Sequence, residues 1–232
     1  MWHIKLNGLN EKIFSTLKNI LNDRIYKKEI EKFKIIEYYL ILEEQEITSA
    51  PEALSIGEHE IKLLSSILSL LNIKNHISVD IPYEVHQDGT RTGYLSFTDT
   101  ISITDELKIY SNNSLIYSTE EETNKLLQDI YEKALSSEIK KRLIIYLGKE
   151  INWVNAYKIY EVLKHHYIKE SELKKIPELA TFAHTANSPD VIGDDARHGV
   201  QTHDNPKKIA NLENAYKKLK ELAIKFLIDE NT

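Results

Sequence analysis

The spacing of apolar residues changes near residue 118, and this change constrains the fold of the 232-residue chain more than any other feature. Before it, stretches that alternate apolar and polar residues, as β-strands do, are interleaved with stretches of helical spacing. After it, apolar residues recur at helical spacing alone. We therefore predict an α+β protein of two domains. Residues 1–117 form a small mixed α/β sheet domain for recognition or oligomerisation, and residues 118–232 form an all-α helical bundle.

Local patterns predict the elements of the first domain. The sequence WHIKLNG alternates and ends at Gly8, which indicates a strand, and Asn10 then suits the N-cap of an amphipathic helix. FKIIEYYLIL and ISVDIPYEV are predicted strands with the helix EHEIKLLSSILSLL between them, and YLSFTDTISI follows the turn DGTRTG as a partner strand. In this interpretation Ile81 and Tyr83 share one face of their strand. Pro82 points outward, and its missing N–H favours an edge strand.

Four or five helices are predicted for the second domain. Ser118 and Glu121 form a capping box ahead of the first helix, and Pro177 occupies the first turn of another. Asn205 and Pro206 suit the N-cap and the first position of the last helix, whose apolar stripe begins at Ile209. One side of the helix INWVNAYKIYEVL is aromatic, and we interpret this side as core or dimer interface rather than a platform for nucleobases. Its residues are Trp153, Tyr157 and Tyr160.

Composition excludes several classes of protein. A net charge of −6 disfavours general DNA binding, although a few well-placed cations suffice for a local nucleic-acid site. The absence of cysteine removes disulfides, thiolate nucleophiles and cysteine–zinc centres. No apolar run is long enough to cross a membrane and the first residues lack the layout of a secretory signal, so we expect a cytoplasmic protein with no membrane partner. Because only four of the 30 basic residues are arginines, each arginine is favoured for its planar guanidinium.

The sequence HTANSPDVIGDDARHGVQTHDNP, residues 184–206, concentrates groups that carry chemistry. It contains three of the nine histidines and one of the four arginines. Arg197 and His203 flank the predicted start of the last helix, with His198 between them, and a helix N-terminus attracts anions. Arginine grips a phosphate through two parallel hydrogen bonds, and histidine exchanges a proton near neutral pH. Together they suit cleavage of a phosphodiester by a neighbouring hydroxyl without a metal ion.

The segment ARHGVQTH resembles the arginine–polar–histidine motif of HEPN-type domains, in which an arginine followed by a polar residue precedes a histidine. Here His198 follows Arg197, and five residues separate Arg197 from His203. The resemblance covers roughly residues 120–232 and implies a metal-independent ribonuclease, with RNA as partner, of the kind found in toxins and antiphage systems. It implies a site at a homodimer interface, where Arg197 holds the phosphate and His203 moves the proton. Glu161 matches a polar residue that such domains place on an earlier helix.

Other interpretations of the same residues stay open. Arg197 pairs with Asp194 or Asp195 if residues 184–206 are only a structural loop, and the protein is then a non-catalytic interaction or binding protein, as many members of the family are. A metal-dependent hydrolase requires several side chains of the segment to converge on one ion, yet no spacing matches a known two-histidine helix motif. The candidate ligands are His184, Asp190, Asp194, Asp195, His198, His203 and Asp204. We expect neither a metal nor another cofactor.

Overall fold

The computed structural model describes residues 1–43, 46–70, 73–94, 120–201 and 203–229. Within them the chain forms two compact units, Met1–Gln128 and Asp129–Thr232. The first contains an antiparallel sheet with helices and the second is helical, so the predicted α+β class is confirmed. The predicted domain boundary at residues 117 and 118 lies outside the described residues, as do the partner strand from residue 95 onward and the capping box at Ser118.

In the described residues of the N-terminal unit, helices accompany one sheet of five strands in the order β2-β3-β1-β4-β5. Every described pairing is antiparallel. Because β3 lies between β1 and β2, the unit has the split β-α-β arrangement of ferredoxin-like topology. The elements are β1 (Trp2–Asn7), α1 (Glu11–Leu21), β2 (Ile25–Ile30), β3 (Ile35–Leu42), α2 (Ala50–Leu70), β4 (Ser78–Val85) and β5 (Arg91–Gly93).

Two glycines and one N-cap allow the neighbouring segments to pack closely against β1. Gly8 ends β1 at a φ of +79°, and a side chain there would overlap the backbone carbonyl of His76. Asn10 caps α1 as predicted, since its side chain accepts a hydrogen bond from the backbone N–H of Ile13 at 2.9 Å. Gly57 lets α2 lie directly on β1, because a Cβ at this position would be 3.0 Å from Cγ1 of Ile4.

The prediction that Pro82 points outward from an edge strand is wrong. Pro82 is buried opposite Ile4, and β4 pairs with both β1 and β5. The register between β1 and β4 shifts between Ile4 and Leu6, and this bulge reverses the alternation of β4. The missing N–H is tolerated at the end of β5, where the Pro82 carbonyl accepts a hydrogen bond from Tyr94 N at 3.1 Å.

The C-terminal helices pack around α5, which contacts α4, α7 and α9. Trp153 and Tyr160 of α5 are buried, and their ring centroids lie 5.8 and 5.7 Å from that of Phe182 in α7. The aromatic side of α5 therefore belongs to the core, one of the two possibilities, core or dimer interface, that the sequence left open. The elements are α3 (Glu120–Ser136), α4 (Glu138–Leu147), α5 (Trp153–His166), α6 (Glu170–Leu173), α7 (Phe182–Ala186), α8 (Pro189–Ile192) and α9 (Leu212–Ile228).

The last helix begins later than predicted. Asn211 is its N-cap, and the Asn211 side chain accepts a hydrogen bond from Asn214 N at 2.9 Å. Asn205 instead accepts a hydrogen bond from the side chain of Gln201, and Ile209, which was expected in the apolar stripe, is 60% exposed. Pro177 likewise lies in a series of turns ahead of α7, which starts at Phe182, and does not open a helix.

Candidate functional site

Arg197 is fixed at both its backbone and its side chain. Its backbone N–H donates to the carbonyl of Ala186 at 2.9 Å, which folds the residues after α8 back onto the end of α7. Its guanidinium lies over the ring of Tyr157, with Cζ 4.4 Å from the ring centroid. Nη2 of the same group pairs with Oε1 of Glu161 at 3.0 Å. The guanidinium therefore lies over an aromatic ring and is oriented by a carboxylate.

Helix α5 explains why Tyr157 and Glu161 meet one partner. The two residues are four positions apart on α5, and residues at this spacing lie next to each other on a helix. Tyr157 is buried, whereas the side chain of Glu161 is 33% exposed and that of Arg197 is 35% exposed. The ring thus forms the floor of the site, and the ion pair stays open to solvent.

His198 completes this group. Nη1 of Arg197 donates to Nε2 of His198 at 3.3 Å. Because a guanidinium has no lone pair to offer, Nε2 is the acceptor in this hydrogen bond, which corresponds to the tautomer with the proton on Nδ1. His198 is exposed, so a ligand that reaches Arg197 also reaches a histidine nitrogen able to accept a proton. We call Tyr157, Glu161, Arg197 and His198 the Arg197 cluster.

His203 is placed differently. It is exposed, and its backbone carbonyl accepts a hydrogen bond from the side-chain amide of Gln201. No described contact joins its imidazole to the Arg197 cluster. The expected helix N-terminus beside it is also missing, because α9 begins only at Leu212. The anion-binding argument from a helix start is therefore wrong for both Arg197 and His203, and a phosphate site here depends on side chains.

The other described histidines and aspartates of the segment 184–206 do not form an ion-binding group. Nε2 of His184 bonds to the backbone carbonyl of Asp204 at 2.6 Å, while Asp190, Asp194 and Asp195 are exposed. Among the residues that the structure describes, no three histidine, aspartate or glutamate side chains converge on one point. The convergence that a metal-dependent hydrolase requires is thus not found among them.

Sequence reasoning overlooked Tyr157 and Thr185 as parts of this region. Tyr157 was assigned to the core or to an interface, yet its face carries Arg197. Thr185 is fully buried in α7, and its hydroxyl accepts a hydrogen bond from Ala210 N at 3.1 Å, which ties the segment before α9 to α7. The four-residue spacing between Tyr157 and Glu161 could have indicated that Tyr157 belongs to the site. No local sequence pattern indicates the role of Thr185.

Comparison of the chain with protein-family models, curated proteins and solved structures gives no match. In the parts of the chain that the structure describes, none of the helices is both long and apolar enough to span a membrane. The fold and the cluster define an α+β protein whose helical unit presents an arginine, a histidine and a glutamate together at its surface.

Proposed function

We propose that this protein binds RNA at the Arg197 cluster and cleaves its phosphodiester bonds without a metal ion. Arg197 holds the scissile phosphate, and Nε2 of His198 accepts the proton of the adjacent 2′-hydroxyl. The 2′-oxygen bonds to phosphorus as the bond to the 5′-oxygen breaks, and the leaving oxygen takes a proton from water or from His203. The products are a 2′,3′-cyclic phosphate and a 5′-hydroxyl.

The observation that carries this proposal is the contact of Arg197 with both His198 and Glu161 at a partly exposed position. An ion pair open to solvent contributes at most about 1 kcal/mol, so a phosphate that binds arginine through two hydrogen bonds can compete for it. When Arg197 turns to the phosphate, Nε2 of His198 loses its present donor and becomes free to act as a base. Glu161 orients the guanidinium until then.

The cellular location, biological role and oligomeric state are part of the same proposal. The resemblance to HEPN-type domains supports a role in stress or antiphage defence, and a chain free of cysteine fits the cytoplasmic location that we propose. The resemblance to HEPN-type domains supports a homodimer. We expect sedimentation of the purified chain to give twice the monomer mass of 26.9 kDa.

The test is cleavage of single-stranded RNA in EDTA by the wild type and by single alanine variants. His198→Ala should lower the rate by about 10²- to 10⁴-fold, the usual contribution of a positioned acid or base. Arg197→Ala should lower it by about 10²- to 10³-fold, the usual loss when a donor that stabilises transition-state charge is removed. His165→Ala, at an exposed histidine of α5 outside the cluster, is the matched control and should retain full activity. His203→Ala decides whether His203 protonates the leaving oxygen. Full activity of Arg197→Ala would overturn the proposal.

One observation favours a second candidate, a non-catalytic binding protein. The guanidinium of Arg197 is already engaged by Tyr157, Glu161 and His198, as a purely structural arginine would be. In that case Glu161→Gln and Arg197→Ala lower the unfolding midpoint and the wild type cleaves no RNA. If the cluster is a phosphate site, Glu161→Gln instead tightens RNA binding, because it removes the carboxylate that competes with the phosphate.

A further inference from the structure

The sheet of the N-terminal unit carries a second group of aromatic and cationic side chains on the face away from the helices. The register places Tyr26 opposite Tyr39 and His3 opposite Tyr83, while Arg91 follows on β5. Ile4, by contrast, contacts α2 from the other face. We call His3, Tyr26, Tyr39, Tyr83 and Arg91 the tyrosine face.

The rings of the tyrosine face pack on one another. Tyr26 and Tyr39 are stacked, with centroids 5.2 Å apart and planes inclined by 12°, and Tyr83 meets Tyr39 edge-on at 5.9 Å. Tyr39 is buried, whereas Tyr26 and Tyr83 are half-buried. Tyr26 and Tyr83 therefore offer ring surface on which a second aromatic molecule can stack.

Arg91 crosses the sheet from one edge to the other. It lies on β5, yet its Nη2 donates to the hydroxyl of Tyr26 on β2 at 3.1 Å, and its Cζ lies 5.3 Å from the centroid of Tyr39. Among the described residues β5 and β2 are the two ends of the strand order, so this contact means that the sheet curls and that the tyrosine face is concave. The guanidinium is held in place with most of its N–H groups still to be used.

The positive charge of Arg91 is not matched by a carboxylate within the described residues. The neighbouring Lys5 pairs with Glu37 at 2.9 Å and with Asp80 at 3.8 Å. Arg91 is exposed, and within the described residues its hydrogen bond and ring contacts are with tyrosines. A cation fixed by neutral groups attracts an anion more strongly than one already paired.

His3 supplies a polar atom without a partner. The Tyr26 hydroxyl accepts a hydrogen bond from Arg91 and forms a second one with Nδ1 of His3 at 2.7 Å. His3 is 7% exposed, and Nε2 is buried with no hydrogen-bond partner. A buried polar atom left unpaired is unfavourable, so a bridging water at Nε2 would stabilise the tyrosine face.

We propose that the tyrosine face binds a nucleotide, with the base against Tyr83 or Tyr26 and the phosphate on Arg91. The nucleotide is either free or one unit of single-stranded RNA, since both offer an aromatic base beside a phosphate. This inference goes beyond the proposed cleavage, because it assigns recognition to a different unit of the chain. It does not depend on any reaction at the Arg197 cluster.

The test measures binding by the full chain carrying Arg197→Ala and His198→Ala, so that neither cleavage nor the Arg197 cluster contributes. The probes are a fluorescent single-stranded oligoadenylate and, as competitor, adenosine monophosphate. In this background Tyr83→Leu should weaken binding roughly 5- to 150-fold, the range of one stacked base. Arg91→Gln should weaken it roughly 10- to 150-fold, the range of a hydrogen bond to a charged group. Arg142→Gln, at an exposed arginine of α4, is the matched control and should bind like its parent.

Gly93→Ala adds a variant that removes no charge and no ring. A Cβ at Gly93 would lie 2.9 Å from Cε1 of Tyr83, so the ring must move while the fold is retained. Weakened binding in this variant supports a base on Tyr83. Displacement by the monophosphate identifies a free nucleotide, and its failure to displace identifies RNA. Unchanged binding in Arg91→Gln and Tyr83→Leu, or no binding of either probe, would overturn the proposal.

Discussion

Three of the four arginines use the planar shape of the guanidinium. Arg24 reaches Glu43 at 3.2 Å and Glu60 at 2.8 Å, while Arg91 and Arg197 lie over tyrosine rings. Lysine, with a compact charge on a flexible stem, reproduces neither arrangement. We expected the few arginines to occupy positions that need a planar group, and arginines in both units of the chain do so. Composition could not indicate which residues they contact.

His3 makes the stability of the N-terminal unit depend on pH. Burial, the nearby Arg91 and the N-terminal amine lower the pKa of His3 from 6.5 to about 4. The unfolded chain therefore binds a proton between these values that the folded chain does not, and stability falls as the pH drops below 6.5 toward 4. Urea unfolding of the wild type at pH 7, 6 and 5 should show a progressively lower free energy of unfolding.

His3→Gln is the control for this pH dependence. Glu37 accepts hydrogen bonds from Lys5 and Tyr39, which lower its pKa below 4.5, so its own contribution is lost only in more acidic solution. The decrease between pH 6.5 and 4.5 should therefore become shallower in His3→Gln. An equal decrease in wild type and variant would show that His3 is not the group responsible.

Local sequence patterns predicted most of the helices and strands. They failed where a contact between residues distant in sequence decides between two equally suitable N-caps. Gly8 and Asn10 act within a few residues of their own positions, and both were predicted correctly. Asn205 and Asn211 are both suitable N-caps, and the sequence offers no local reason to prefer the second. The hydrogen bond from Ala210 N to Thr185 ties the preceding residues to α7, and this contact delays the helix.

The start of α9 can be tested by a matched pair of substitutions. Asn211→Ala removes the acceptor for Asn214 N and should lower the free energy of unfolding by about 1 kcal/mol. Asn205→Ala removes only a side-chain contact with Gln201 at an exposed position and should cost less. Chemical denaturation of both variants measures the difference. A larger loss in Asn205→Ala would contradict the helix start at Leu212.

Only part of the candidate site could be predicted from the sequence. The motif and its resemblance selected Arg197, His198, His203 and Glu161. Within the described residues, contacts join Arg197 to His198 and Glu161, and none joins it to His203. The aromatic floor from Tyr157 and the tyrosine face of the other unit depend on side chains far apart in sequence. The bulge in β4 also hid the tyrosine face, since simple alternation assigns Tyr83 to the same face as Val79.

The identity of the RNA ends after reaction tests the central claim most directly. A single-stranded RNA is incubated with the wild-type protein in EDTA, and the new termini are identified by mass spectrometry. We predict a 2′,3′-cyclic phosphate on one fragment and a 5′-hydroxyl on the other, because the 2′-hydroxyl is the nucleophile and His198 accepts its proton. Fragments with 5′-phosphate ends, or no cleavage at all in EDTA, would contradict metal-independent cleavage at the Arg197 cluster.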